Sequence, residues 1–157
     1  MIQRIQSFYL IIVLVPLVIL LTGPAIVTFS NAQTSILFDV FGLFSTSEKD
    51  NALKPILVFP FYLLDMALIL MHAITLIKYK KLKSQLKWAQ YGFLFYVIMA
   101  FALLTFVLVG GELVIAEPII SPHIGLFLFL AGIPFTFLAV QAIKKDKELV
   151  DSIDRIR

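Results

Sequence analysis

Four long apolar stretches, separated by short segments that hold nearly all the charges, constrain what this chain can fold into. They cover residues 8–29, 55–77, 88–109 and 123–142. Each has roughly 20 residues or more, enough for a helix rising about 1.5 Å per residue to cross a hydrocarbon core of about 30 Å. Because a backbone in lipid must satisfy its own hydrogen bonds, and no barrel-like alternation occurs, these stretches are predicted to be helices. The fold class is therefore an all-α membrane protein, a bundle of four transmembrane helices.

The composition supports a single membrane domain over residues 1–157. Hydrophobic residues make up 61% of the chain and charged residues 15%, so a folded form has too few polar residues to cover its surface in water. The chain has no cysteine, which excludes disulfides, thiolate metal sites and cysteine nucleophiles. No basic run with interleaved aromatic residues occurs, and we expect no nucleic-acid partner.

Lysine and arginine are distributed very unevenly between the segments that connect the stretches. Arg4 precedes the first stretch, five lysines lie between the second and third, and five basic residues follow the fourth. Only Lys49 and Lys54 lie on the opposite side. Because basic loops stay in the cytoplasm, both termini and the middle loop are predicted to be cytoplasmic.

The first stretch has an alternative interpretation as a cleaved signal peptide, because Ser30 and Ala32 are small residues at the spacing that a signal peptidase reads. Its apolar run is longer than the 7–15 residues, roughly, of a signal-peptide core. A membrane-spanning helix is the favoured interpretation.

Both outer loops contain short runs of strand-forming residues. Residues 35–41 are apolar, β-branched and aromatic, and residues 112–117 form a similar run bounded by glycine and proline. We predict a small outer-face β-sheet that pairs the two loops. The alternative is a pair of interfacial segments on the lipid headgroups.

The cytoplasmic tail, residues 143–157, is predicted to continue the fourth helix, since no glycine or proline follows Pro134. Four apolar residues share one face of it at helical spacing, namely Leu149, Val150, Ile153 and Ile156. This face would be covered by the protein's own cytoplasmic loop, by the membrane surface, or by a partner protein. Arg4 would pair with an acidic residue of the tail, Asp146 or Asp154.

The two ends of the chain resemble a known family. Residues 1–6, Met-Ile-Gln-Arg-Ile-Gln, followed by a span, and the tail segments 142–146 and 149–157 are similar to the uncharacterised four-helix membrane proteins of Bacteroidetes, domain-of-unknown-function family 4293. Lys147 stands where members often carry an acidic residue. The resemblance implies an inner-membrane protein of a Gram-negative bacterium; it carries no established activity.

Asp65 and His72 are the candidate buried polar pair, seven residues apart on one face of the second stretch. A carboxylate near the midplane is costly and should face the bundle interior. Pro16 and Pro134 predict helix breaks at similar depth. Either these residues hold helices together, Asp65 with Tyr96 or a freed carbonyl and His72 with Tyr91 or Gln141, or they form a proton or ion path.

No motif predicts catalysis, a cofactor or a metal site. Gly-rich phosphate loops, HExxH and GxSxG are absent from the sequence. At the outer face the residues that could bind a divalent cation, Asp39, Glu112, Glu117 and His123, lack ligand spacing, so solvated loop charges are expected. The small residues Gly125, Gly132 and Ala139 recur every seven positions and favour close helix packing, within the chain or between copies.

The sequence thus favours a non-catalytic accessory or assembly subunit of an inner-membrane complex. Its partners would be the lipid bilayer and a membrane protein or further copies of itself, bound through the tail face and outer loops. The alternatives are a small transporter or proton-conducting protein that uses Asp65 and His72, and an intramembrane enzyme.

Overall fold

The computed structural model describes residues 3–32, 34–45 and 61–156. The first range holds helix α1 (Gln3–Leu20) and strand β1 (Val27–Ser30), and the second holds β2 (Ser35–Phe38) and β3 (Leu43–Ser45). The third begins with α2 (Phe61–Ile77), a 3₁₀ turn (Lys78–Lys80) and α3 (Leu82–Thr105). A π-helical turn (Phe106–Gly110), the short α4 (Gly111–Val114), β4 (Ile119–Pro122) and the long α5 (Ile124–Ile156) complete it.

The four longer helices pack in a ring. Helix α1 lies between α5 and α2, and α3 lies between α2 and α5. Each buries a stripe of residues three or four apart, such as Leu10, Val13, Leu17 and Leu20 of α1. The outward faces are also apolar, with Phe8, Leu70, Phe101 and Phe127 among the exposed side chains. A helix that is apolar all round belongs in a protein core or a membrane.

Three helices of the described part are long and apolar enough to cross a membrane, over Phe61–Lys80, Leu82–Val114 and Ile124–Ser152. The fourth apolar helix is shorter, over Ile5–Leu20. The first helix was predicted from the sequence to reach residue 29, and that boundary is wrong.

Helix α1 ends at Leu20 because the next residues leave the helical conformation. Thr22 donates its hydroxyl to the carbonyl of Ile19 at 2.7 Å, and Gly23 adopts a positive φ of 82°, which suits glycine. Pro24 follows and has no N–H for continuing the helix. The apolar, β-branched residues after it form β1 instead of a further helical turn.

The sheet is antiparallel with strand order β3-β2-β1-β4. The predicted small sheet is confirmed, and the predicted run 35–41 begins with β2. The predicted strand at 112–117 is wrong, because residues 111–114 form α4 and the strand of this loop is β4. The two loops are joined through β1, where Phe29 pairs with both Ile36 and Ile120.

The prolines do not break their helices. Pro16 lies inside α1, and α5 runs without interruption past Pro134 to Ile156. The predicted breaks at these prolines are wrong, because packing against the neighbouring helices keeps the chain helical. The three small residues of α5 are all buried inside this chain, where a Cβ at Gly125 would lie 2.6 Å from the carbonyl oxygen of Ala25.

We expect Gly125→Ala to destabilise the protein by roughly 1–3 kcal/mol, because the added methyl meets a backbone oxygen that cannot rotate away. The matched control is Gly92→Ala, whose Cβ would lie at ordinary contact distance, 3.5 Å, from His72. Thermal loss of helical circular dichroism in detergent should occur at lower temperature for Gly125→Ala only. Equal behaviour of the two variants would contradict the close approach of α5 to the loop after α1.

Candidate functional site

Asp65 is completely buried on the inner face of α2. Neither of its carboxylate oxygens has a hydrogen-bond partner within the described part of the chain. The expected partner, Tyr96, lies near enough to interact with it electrostatically but donates its hydroxyl to the carbonyl of Phe129 at 2.6 Å. The predicted bond between Asp65 and Tyr96 is therefore wrong. A carboxyl that bonds to nothing is a poor structural tie between helices.

Gly132 makes room for the Tyr96 hydroxyl. A Cβ at Gly132 would overlap this oxygen, so a larger residue would displace the tyrosine. Tyr96 is fully buried and packs against Phe129, with ring centroids 5.0 Å apart and the rings tilted by 56°. Glycine at this position of α5 therefore leaves space for a polar group of α3.

His72 lies two turns below Asp65 and is held at both ring nitrogens. Its Nδ1 is 2.8 Å from the carbonyl oxygen of Leu68, and its Nε2 is 3.3 Å from the hydroxyl of Thr136 on α5. The predicted partners Tyr91 and Gln141 are exposed, so that expectation is wrong. Thr136 is the partner that sequence reasoning missed, because a threonine in an apolar helix carries no signal of its own.

These contacts suit either charge state of the imidazole. A carbonyl only accepts, so Nδ1 carries a proton and donates to Leu68. In the neutral ring, Nε2 accepts from the Thr136 hydroxyl. In the imidazolium, Nε2 donates to that oxygen, whose own proton goes to the carbonyl of Gly132 at 2.8 Å. The Thr136 hydroxyl can therefore donate to neutral His72 and accept from protonated His72.

Three more polar side chains are buried where the helices approach their lysine-rich end. They are Gln6 on α1, Gln85 on α3 and Asp146 on α5, whose exposed fractions are 1%, 1% and 6%. Within the described part of the chain, buried polar atoms of all three have no hydrogen-bond partner: Nε2 of Gln6, Oε1 of Gln85 and both carboxylate oxygens of Asp146. The side chains of Arg4 and Asp154, proposed to form an ion pair with this region, lie outside the described residues.

The tail face, formed by Leu149, Val150, Ile153 and Ile156, is described only in part. Leu149 and Val150 are 43% and 45% exposed at the end of α5. The side chains of Ile153 and Ile156 lie outside the described residues. Next to Leu149, a groove of about 740 Å³ runs between α1 and α5, with Ile5 and Tyr9 on one wall and Leu138, Ala142 and Lys145 on the other.

At the outer face, the acidic residues and His123 do not converge. Asp39 accepts hydrogen bonds from the backbone N–H groups of Phe41 and Gly42 at 2.7 and 2.9 Å and so shapes the turn after β2. Burial raises the pKa of the Asp39 carboxyl, and these two donors partly offset the shift. His123 contacts the hydroxyl of Thr28 at 2.8 Å. Within residues 3–32, 34–45 and 61–156, no group of three potential ligands could hold a metal ion.

The apolar outward faces and the buried polar interior together fit a helical membrane protein. The chain belongs to the family described as "Domain of unknown function (DUF4293)", which matches residues 2–156. Neither the comparison with curated proteins nor that with solved structures gives a match.

We expect Asp65→Asn to raise stability by about 1 kcal/mol or more at about pH 8, because it removes a buried charge that has no partner. Asp39→Ala should lower stability by about 1 kcal/mol, since it removes the acceptor of two backbone donors. Thermal unfolding of the two variants in the same detergent checks the opposite signs. Loss of stability in Asp65→Asn would show that the carboxylate is bonded after all.

Proposed function

We propose that this protein crosses the bacterial inner membrane four times, with both termini in the cytoplasm. Helix α1 has 18 residues and at about 1.5 Å per residue extends about 27 Å, close to the hydrocarbon thickness. Its position between α5 and α2, both long apolar helices, favours a fourth crossing. The meeting of loop and tail lysines at one end, where Lys80, Lys83 and Lys147 line one concave surface, favours the cytoplasm on that side.

Within the membrane, the proposed role is that of a non-catalytic accessory or assembly subunit. The observation that carries this proposal is the exposure of Leu149 and Val150 on a helix that continues beyond its membrane-spanning part. Neighbouring exposed apolar residues on a helix are typical of a surface that another protein covers.

The groove between α1 and α5 supports a helical partner. It joins the tail face to the lipid-facing side of the bundle, since its lining runs from Leu138 to Leu149. A helix of another membrane protein could therefore contact both in one continuous interface. The outer sheet, with Ile119 exposed on β4, offers a second contact surface at the opposite end.

We expect Leu149→Asp to abolish stable association with that partner, because it places a charge in the centre of an apolar contact. The matched control is Ser152→Asp, which adds the same charge one turn further along the exposed tail. Tagged protein at native level is extracted gently, and stoichiometric partners are quantified by mass spectrometry. Recovery of the same partner by both variants would remove the tail face from the proposal.

A second candidate function is a small transporter or proton-conducting protein. The unpartnered carboxyl of Asp65 favours it, as does the ability of His72 and Thr136 to hydrogen-bond in either protonation state. Ionisable groups buried in spanning helices often belong to proton or ion pathways.

For this candidate, Asp65→Asn should leave a folded protein without proton flux, because an amide cannot exchange a proton. Purified protein in vesicles with an imposed pH difference is compared with Asp65→Asn and with Thr105→Val, which alters a threonine on the outward face. Equal flux in wild type, Asp65→Asn and protein-free vesicles would exclude conduction.

A further inference from the structure

We propose that the concave, lysine-lined surface at one end of the bundle binds the headgroup of an anionic phospholipid. This lysine surface lies where the turn between α2 and α3 meets the end of α5, and it encloses a hollow of about 360 Å³. The inference goes beyond the accessory role proposed above and requires only that the helices lie in a membrane. The Leu149→Asp test does not bear on it, because Leu149 lines the groove between α1 and α5 instead.

The lysine surface carries far more positive than negative charge. Its described lining consists of four lysines, one carboxylate and two apolar side chains, namely Lys80, Lys81, Leu82, Lys83, Lys147, Val150 and Asp151. Asp151 lies near Lys147, with 3.9 Å between the carboxylate Oδ2 and the ammonium nitrogen. Within the described part of the chain, the other three lysines form no ion pair. Because ammonium groups around one hollow repel each other, a bound phosphate group is favoured there.

The lysine side chains define the surface, and the start of α3 adds to its positive charge. Helix α3 has 24 residues, and neither a side-chain cap at Lys81 nor an acidic residue in the first turn neutralises its N-terminal end. The N–H groups of a first helical turn have no acceptor within the helix and carry a partial positive charge. Since Leu82 and Lys83 belong to the lining, this helix end and the lysine ammonium groups attract an anion to the same space.

Aromatic residues place the lysine surface at the level of the lipid headgroups. Tyr79, in the turn between α2 and α3, is 44% exposed, and the ammonium group of Lys78 lies 4.6 Å from the ring centroid of Trp88. Tyrosine and tryptophan are enriched where a membrane meets water, and lysine extends its ammonium group from there toward the headgroups. The hollow therefore lies at the depth of phospholipid phosphates.

The apolar members of the lining favour a lipid over a soluble anion. Leu82 lines the hollow from α3, and Val150 lines it from α5 and is 45% exposed. The same two helices pack on each other farther along, where Phe93 lies against Phe137 with ring centroids 5.8 Å apart. Their outward faces are apolar, so acyl chains can follow the helices whose ends hold the headgroup. Basic pockets between transmembrane helices are typical sites for anionic headgroups.

Quenching of the single tryptophan, Trp88, measures lipid binding close to the lysine surface. Trp88 lies five residues after Lys83, about 7.5 Å along α3. Full-length protein is reconstituted in phosphatidylcholine vesicles with increasing fractions of phosphatidylglycerol that carries brominated acyl chains, and brominated phosphatidylcholine is the reference. We expect a preference for phosphatidylglycerol of about five-fold or more, since one lysine near an anionic membrane surface contributes about that factor. Equal quenching by the two lipids overturns the proposal.

Two lysine variants distinguish a site from diffuse attraction. Lys147→Gln removes a charge of the lysine surface from α5, far along the chain from the tryptophan. Lys87→Gln removes a charge next to Trp88 that is not part of the described lining. We expect Lys147→Gln to reduce the preference for phosphatidylglycerol about five-fold and Lys87→Gln to leave it nearly unchanged. An effect of Lys87→Gln that equals or exceeds that of Lys147→Gln contradicts a site.

Removal of the carboxylate tests the same surface by a gain of binding, which a folding defect cannot imitate. Asp151→Asn should increase the preference for phosphatidylglycerol about five-fold, because it removes the negative charge of the lining and frees Lys147. The matched control is Glu148→Gln, which removes an equal charge from the groove between α1 and α5. No gain in Asp151→Asn, or an equal gain in Glu148→Gln, overturns the proposal.

Inorganic phosphate distinguishes a lipid headgroup from a soluble anion. At millimolar concentration, with chloride at the same ionic strength as the reference, it should not displace brominated phosphatidylglycerol from the protein. Selective displacement by phosphate would assign the surface to a soluble anion and overturn the lipid. A protein with these lipid preferences that recovers no partner by mass spectrometry would retain the lipid site and lose the accessory role.

Discussion

Because the outward faces of the helices are apolar, the interior of the ring is the place where polar side chains of the helices can meet. The helices expose residues such as Phe101 and Phe127 and bury Asp65, His72 and Thr136. This arrangement reverses that of a soluble bundle, in which polar residues cover the surface. The hydrogen bonds between α2, α3 and α5 depend on it, since each of them lies inside the ring.

The two ends of the ring differ in chemistry. At the sheet end, β1 and β4 bring the two loops together, and the aromatic side chains of Phe29, Phe38 and Phe61 lie below them. Phe38 and Phe61 also line a cavity of about 450 Å³. At the other end, Gln6, Gln85 and Asp146 carry buried polar atoms that have no hydrogen-bond partner among the described residues, close to a surface rich in lysine. The interior is therefore apolar and aromatic at one end and polar at the other, which a symmetric bundle would not show.

The sequence revealed Asp65 and His72 because a charged or imidazole side chain is rare in an apolar stretch. It did not reveal their partners. Thr136, Gln85 and Gln6 look like ordinary helix residues, and only the packing of α1, α3 and α5 shows that they face the interior. The expected bonds of His72 to Tyr91 and Gln141 failed because similar depth does not imply the same side of the helix. The end of the first helix was missed since residues 26–29 are as apolar as a span, and their pairing with β2 and β4 is non-local.

Composition and the spacing of charges, by themselves, determined that the chain forms long apolar helices, that a small sheet joins its loops, and which two helix residues are chemically unusual. These properties follow from local hydrophobicity and from the rule that a backbone in lipid bonds to itself. Only the tertiary structure decided where α1 ends, which strands pair, and that Asp65 has no hydrogen-bond partner among the described residues while His72 has two. Those outcomes depend on contacts between residues far apart in the chain, and the spacing of residues within one helix does not contain them.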